Sequence, residues 1–283
     1  MSSTRPPPTV ERGLFVRGGA LGDTLVALPA LDALRARCRH LTFVGSPRYA
    51  ALFAERCDAV IDGRGVESLW LHQEGPLPAP FDLALCFHAP LAAALQARGL
   101  PAVLALDGKP PAGVRVDQQL WGPLARAWGL PAAPPPPRLS PQAGPLRAID
   151  DRLAGRRPLV FAPGAGAFDR QDTDSVALIE ALQAAGHDLL GVVGPDDPRP
   201  AGLCLWADLD LPALCALAAR CAGWIGMDSG TTHLAAAAGA PTLLRWRAPH
   251  SRDWAPAGAA CLPADAPPAA VLAWAAGAGR RGI

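Results

Sequence analysis

Short apolar runs alternate along the chain with segments in which apolar residues recur every three or four positions. The first pattern predicts buried strands and the second predicts helices packed against them. The chain therefore reads as an α/β protein, with parallel sheets covered by helices on both faces. In the first half, strands are predicted over Gly13–Arg17, Leu41–Gly45, Ala59–Asp62, Leu83–Phe87 and Ala102–Leu106. Helices are predicted over Asp23–Arg37, where Leu25, Leu28, Leu31 and Leu34 mark one face, and over Tyr49–Arg56 and Asp117–Trp128. In the second half, strands are expected over Pro158–Ala162, Leu189–Val193, Trp224–Met227 and Thr242–Trp246. The helices there are Asp174–Ala185, Leu211–Cys221, Thr231–Ala238 and Ala266–Ala276.

Between the halves lies the proline run Pro134–Pro137. Consecutive prolines favour an extended, semi-rigid spacer. A full strand–helix series restarts after it, which predicts two domains, 1–138 and 139–283, with a linker near 131–145. A chain of 283 residues is long for one core and comfortable for two of roughly 140.

Composition narrows the classes. Half of the residues are hydrophobic and 18% are charged, which fits a well-buried globular protein rather than a disordered one. A net charge of +1 makes no electrostatic case for nucleic acid as a partner. The seven cysteines form no C-x-x-C pair and stand mostly in apolar runs, as reduced, buried thiols of a cytosolic protein would. No Cys/His cluster has zinc-ligand spacing. The amino-terminal segment lacks the apolar core of a signal peptide, and no apolar run approaches the ~20 residues that span a bilayer. The expectation is a cytoplasmic protein in at most peripheral contact with a membrane. Lys109 is the only lysine, so arginine carries most of the basic chemistry.

Three segments carry candidate chemistry. Gly18-Gly19-Ala20-Leu21-Gly22-Asp23 joins the first strand to the first helix, at the carboxyl edge where parallel sheets bind ligands. Asp23 there is either a general base or the N-cap of the helix. Pro163-Gly164-Ala165-Gly166 also follows a strand, and Gly164 and Gly166 would let backbone amides face phosphate oxygens. Arg170 follows and could fork onto a diphosphate, unless the stretch is an ordinary glycine turn with a solvated arginine. In the third segment an apolar strand runs into Asp228-Ser229-Gly230-Thr231-Thr232-His233, and a helix of small residues begins at once. Unpaired amides at a helix start favour an anion, and Ser229, Thr231 and Thr232 add hydroxyl donors. His233 is either part of that site or incidental to a capped helix. His88, after the strand Leu83–Phe87, is either an acceptor contact or a cap.

Together these segments resemble glycosyltransferase family 9, the heptosyltransferase family. The resemblance runs from Ala20-Leu21-Gly22-Asp23 and Pro29-Ala30-Leu31, through Val116–Gly129 and Pro163–Gly166, to Trp254-Ala255-Pro256. It is strongest from Asp228 to Thr242. It implies the GT-B architecture, two Rossmann-like domains facing across a cleft, with the acceptor on the first and the sugar nucleotide on the second. It further implies an inverting transfer that needs neither metal nor cofactor, from a nucleotide-diphosphate sugar, ADP-heptose above all, to a glycan or lipid-linked glycan such as a lipopolysaccharide. By position, Asp23 becomes the base that deprotonates the acceptor, near Gly22. Asp228 becomes a contact to the donor sugar. The backbone of Ser229, Gly230 and Thr231, with His233, becomes the diphosphate site, and Asp196 or Asp197 a contact to the nucleoside.

The resemblance also locates departures. Arg170 stands where the family carries lysine, and Asp172-Thr173 where it carries Trp-Pro. Asp169 and Asp172 are expected to work against a bound anion, and Arg247 to compensate as a cation near the donor. These changes leave two other readings open: a GT-B pseudoenzyme that binds nucleotide or glycan without transfer, and a nucleotide-sugar epimerase on the same fold. An NAD-dependent oxidoreductase is disfavoured, because no G-x-G-x-x-G follows either opening strand.

Overall fold

The computed structural model describes residues 10–109, 111–166, 170–173 and 175–278. The chain divides between Pro135 and Pro136 into two compact units. Each is a parallel sheet covered by helices, and each has its own apolar core.

The first unit contains β1 (Val10–Val16), α1 (Leu21–Val26), α2 (Leu28–Arg35), β2 (Cys38–Gly45), α3 (Pro47–Ala50), β3 (Ala59–Asp62), β4 (Leu83–Cys86), α4 (Ala89–Ala97), β5 (Ala102–Ala105) and α5 (Val116–Trp128). Its sheet has the order β3-β2-β1-β4-β5. Gly13 is in register with Leu41 on one side and Leu83 on the other, both parallel. Strand order reverses between β1 and β4, and ligands of such sheets bind in the crevice at that reversal. Leu14, Val16, Val44, Ala84, Cys86 and Leu95 form part of a buried cluster beneath it. Each buried Leu or Phe side chain stabilises the unit by about 1.5–3 kcal/mol.

The second unit contains α6 (Ala143–Leu153), β6 (Leu159–Ala162), α7 (Val176–Ala184), β7 (Leu189–Val192), β8 (Leu205–Trp206), α8 (Leu211–Ala218), β9 (Gly223–Gly226), α9 (Gly230–Ala237), β10 (Thr242–Trp246), β11 (Ala260–Pro263) and α10 (Pro268–Ala278). Its sheet order is β11-β10-β9-β6-β7-β8, so the reversal lies between β6 and β9. Phe161 is in register with Gly191 and Ile225.

Several elements differ from their predicted form. The helix expected over Asp23–Arg37 is two helices meeting at Ala27. Pro29 explains the break: it has no N–H to donate, and its ring would clash with the carbonyl of Leu25. The helix expected over Tyr49–Arg56 is a single turn, α3, followed by a 3₁₀ turn at Ala54–Arg56. Phe53 leaves helical geometry (φ −141°) and is fully buried, with its ring edge-on to Phe43 at 5.4 Å. Here core packing overrides helical continuation. α6 lies where no element is predicted; only Ile149 and Leu153 on it are buried, which leaves too thin a stripe to register. β8 and β11 are short edge strands with no pattern to detect. Asp174, where α7 was expected to start, lies outside the described residues.

All seven cysteines are free. Four are buried and Cys57 is half-buried, in line with thiols mostly in apolar runs, while Cys204 and Cys261 are exposed. Among the described residues, no helix is long and apolar enough to cross a membrane.

Candidate active site

In the first unit the chain leaves β1 at Val16, and Arg17 is the first residue beyond it. Arg17 is 7% exposed, and its guanidinium sits 4.8 Å from the centre of the Phe87 ring. Phe87 follows β4, so this cation–π contact bridges the reversal point. Arg17 Nη2 lies 3.2 Å from Asp23 Oδ1, and Arg17 Nε donates to the Asp23 carbonyl at 3.0 Å. Burial pulls the guanidinium below its ordinary pKa, and the Asp23 charge opposes that pull.

Asp23 is not the N-cap of α1. That position belongs to Ala20, and Asp23 is the third residue of the helix. Its Oδ2 reaches back to accept the Ala20 amide at 2.8 Å. This is the return half of a capping box, made without the usual hydroxyl partner. Gly19 permits it: φ is +107°, and a Cβ there would lie 2.6 Å from Asp23 Oδ2. The carboxylate is thus fixed by an arginine and an amide while 26% of its side chain stays exposed. Gly22, beside it in α1, is half-buried. His88 is the N-cap of α4, and its Nδ1 accepts the Leu91 amide at 3.4 Å. His88 thus makes the cap, and the residue remains exposed. Arg17 was not singled out in the sequence. The available signal was a charge directly continuing an apolar strand at the ligand edge of the sheet.

In the second unit the loops after β6 and β9 flank the other reversal point. Arg170 Nη1 donates to Asp228 Oδ2 at 2.8 Å, which joins the two loops. Ser251, buried in a 3₁₀ turn after β10, donates to the same oxygen at 2.7 Å. A Cβ on Gly166 would lie 3.6 Å from Arg170 Nη2, so the guanidinium packs beside the glycine loop. Gly166, Arg170, Asp228 and Ser229 are therefore brought together, with Ser251 as a member the sequence did not reveal. A serine five residues past a strand carries no local signature.

Ser229 is the N-cap of α9, and its Oγ accepts the Thr232 amide at 3.4 Å. The hydroxyls of Thr231 and Thr232 lie 3.0 and 3.1 Å from that Oγ. Thr232 is fully buried and donates to the Met227 carbonyl at 2.7 Å. The amides of Gly230 and Thr231 open the helix and have no acceptor within it. His233 is 6% exposed, and its amide donates to the Ser229 carbonyl at 3.3 Å. It is packed into the helix base rather than presented openly to solvent.

Asp197 Oδ2 accepts the Gly194 amide at 2.7 Å, and the carboxylate lies against Gly164, where no Cβ would fit. Asp197 thus sits beside the glycine loop. Asp196 is exposed and meets that region only through its carbonyl, which accepts from Gln171 Nε2 at 3.3 Å.

Asp172 does not oppose an anion at this site. It is 2% exposed and forms a buried ion pair with Arg245. Arg247, expected as a compensating cation, donates from Nε to the Gln171 carbonyl at 2.9 Å and braces the loop. Asp169 lies outside the described residues. Among the described residues, no group of three or more His, Cys, Asp or Glu is gathered in a way that could hold a metal ion.

Residues 118–259, half of the chain, match glycosyltransferase family 9 (heptosyltransferase). The fold resembles the Escherichia coli ADP-heptose lipopolysaccharide heptosyltransferase II, with a TM-score of 0.70 and 16% identity over 95% of this chain and 99% of that one. It also resembles a family 9 glycosyltransferase of Veillonella parvula, with a TM-score of 0.68 and 15% identity over 90% and 86%. A third likeness is E. coli heptosyltransferase WaaC solved with ADP, with a TM-score of 0.60 and 16% identity over 95% and 99%. No curated protein sequence matches the chain. The architecture is GT-B, with two Rossmann-like units. The chain belongs to glycosyltransferase family 9, the heptosyltransferase family, and is a glycosyltransferase.

Proposed function

We propose that the chain transfers a glycosyl group, with inversion and without a metal ion, from a nucleotide-diphosphate sugar to a hydroxyl of a glycan or lipid-linked glycan. ADP-heptose is the donor we favour, since two of the structural likenesses are heptosyltransferases whose descriptions name ADP or ADP-heptose. In this reading the second unit takes the donor and the first takes the acceptor. The observation that carries it is the meeting of Arg170 with Asp228 at the β6–β9 reversal, beside the open amides of α9. In this reading the Arg170 guanidinium and the helix N-terminus face the leaving diphosphate, and the Asp228 carboxylate receives sugar hydroxyls.

The chemistry balances without further groups. Asp23 accepts the proton of the acceptor hydroxyl as its oxygen attacks the anomeric carbon. The bond from that carbon to the diphosphate oxygen breaks, and the electron pair leaves with the diphosphate. Each Asp23 oxygen retains a lone pair beyond those engaged by Ala20 and Arg17, so the carboxylate can take the proton without giving up its anchors. Arg170 and the amides of Gly230 and Thr231 stabilise the charge that accumulates on the leaving group. The reaction belongs on the cytoplasmic side, where nucleotide sugars are made.

A transfer assay with ADP-, GDP- and UDP-sugars, run with and without EDTA, tests the reading. Transfer that survives chelation and requires Asp23 supports it. Strict metal dependence, or nucleotide binding with no turnover on any donor, would refute it.

A further inference from the structure

β6 and β10 are not neighbours, because β9 lies between them. The loop after β6 is nevertheless tied to β10 through the Asp172 side chain. Arg170, two residues earlier in the same loop, meets Asp228 beyond the end of β9. Asp172 is held tightly. The Asp172 carboxylate, 2% exposed, pairs with Arg245, 4% exposed, and Arg245 also donates to the Ala264 carbonyl beyond β11. Arg247, two residues on, donates to the Gln171 carbonyl and lies 3.9 Å from the other Asp172 oxygen. The Asp172 amide in turn donates to the Pro163 carbonyl at 2.9 Å, so the same residue is held beside the end of β6.

A buried ion pair is a poor source of net stability, since desolvation offsets most of the attraction. Burial and the nearby Arg247 charge push the Arg245 guanidinium down to about 10, with Asp265 acting in the opposite direction, so this site is costly for a cation. What the pair does supply is orientation, because a guanidinium and a carboxylate meet in few geometries. Neither partner is exposed enough to touch a ligand, but Arg170, two residues before Asp172, is.

We propose that the Asp172–Arg245 pair, braced by Arg247, positions Arg170 toward the donor's diphosphate. Asp172 and Arg245 are thus positioning residues for nucleotide-diphosphate recognition. The inference rests on the donor reading above and extends it to residues that do not contact the donor.

The test is a coupling measurement on the full chain. Calorimetric affinities for ADP, GDP and UDP are measured for wild type, Asp172→Asn, Arg170→Ala and the double variant, with melting temperatures alongside. A residue that acts through Arg170 matters only while Arg170 is present. The expected result, for the diphosphate that binds best, is at least a tenfold loss from Asp172→Asn in the wild-type background and less than twofold in the Arg170→Ala background. Arg245→Lys, which keeps the charge but not the fork, should fall between wild type and Asp172→Asn. An equal loss in both backgrounds, or no loss, overturns the positioning role. If the buried substitutions do not fold, Arg247→Gln takes their place, since its guanidinium is one-third exposed. It should lose at least threefold in affinity, and that loss should vanish without Arg170; unchanged affinity overturns the role. A wild type that binds none of the three diphosphates refutes the donor site itself, which separates that failure from the failure of the positioning role.

Discussion

Arg170 and Asp228 meet at 2.8 Å across the β6–β9 crevice, with Ser251 bonded to the same carboxylate oxygen. In the proposed donor site, that carboxylate occupies a place a diphosphate oxygen would take on Arg170. The donor must therefore compete with Asp228 for the guanidinium, and Asp228, once released, is held for the sugar by Ser251.

This competition makes an opposed pair of outcomes. Arg170→Ala should weaken nucleoside-diphosphate binding by about 1.5–3 kcal/mol, the range for hydrogen bonds to charged groups. Asp228→Asn should strengthen binding of the free diphosphate severalfold, because it removes a competitor and a like charge, yet lower turnover with the sugar nucleotide. Titration calorimetry and transfer rates on the same preparations check both. Weaker diphosphate binding by Asp228→Asn would show that the two groups do not compete.

Asp23→Asn separates chemistry from structure at the other site. The amide oxygen can still accept from Ala20, so α1 keeps its cap, but the group can no longer take a proton. The turnover number should fall by about 10²–10⁴, the usual contribution of a general base. Nucleotide affinity should not change, since Asp23 belongs to the other unit. The substitution also leaves Arg17 without its ionic partner, so a modest fall in melting temperature is expected as well. Loss of nucleotide affinity in step with turnover would argue against the role.

Much of this was legible in the sequence, for identifiable reasons. Strands such as Leu83–Cys86 and Leu159–Ala162 are buried throughout and read as continuous apolar runs. The segment from Asp228 to Ala237 showed its strand end, its cap and its helix in order, because each step has its own residue chemistry. What stayed hidden depended on contacts distant in the chain. Ser251 reaches Asp228 over 23 positions, and Arg245 reaches Asp172 over 73. No local pattern distinguishes a carboxylate facing a ligand from one neutralised by an arginine on another strand. Asp172 was misread for that reason.

Acid should weaken the first unit in a specific way. Asp58 Oδ2 accepts the Leu41 amide at 2.7 Å and also pairs with Arg35. The amide first, and then Arg35, hold its carboxyl below the ordinary range, with burial opposing them. A lowered folded pKa means stability that is present above the unfolded value of about 3.9 and lost as pH falls through the folded value. Asp58→Asn should therefore be less stable than wild type at pH 7, by less than about 1 kcal/mol for a pair this exposed. The gap should close below about pH 4. Urea melts at pH 7, 5 and 3 check this; a gap that widens toward acid would contradict it.

Two adjacent glycines provide the sharpest control on the Asp23 geometry. Gly19 has φ +107°, and an added Cβ would lie 2.6 Å from Asp23 Oδ2 and 3.1 Å from its Cβ and Cγ. An alanine there faces both a left-handed backbone and a collision with the carboxylate that caps Ala20. The loop must open or Asp23 must turn away, and either displaces the base. Gly18, one residue earlier, has nothing within 4 Å of where its Cβ would stand, and its φ is not in the left-handed region. Gly19→Ala should lower transfer at least tenfold and destabilise the unit by about 1–3 kcal/mol. Gly18→Ala should leave stability within about 0.5 kcal/mol of wild type. Both variants add the same methyl group to the same loop, so any difference between them reports the Gly19–Asp23 contact rather than loop composition. Equal effects on transfer from the two substitutions would mean that the carboxylate's position does not control the rate, and the assignment of Asp23 as base would fall with it.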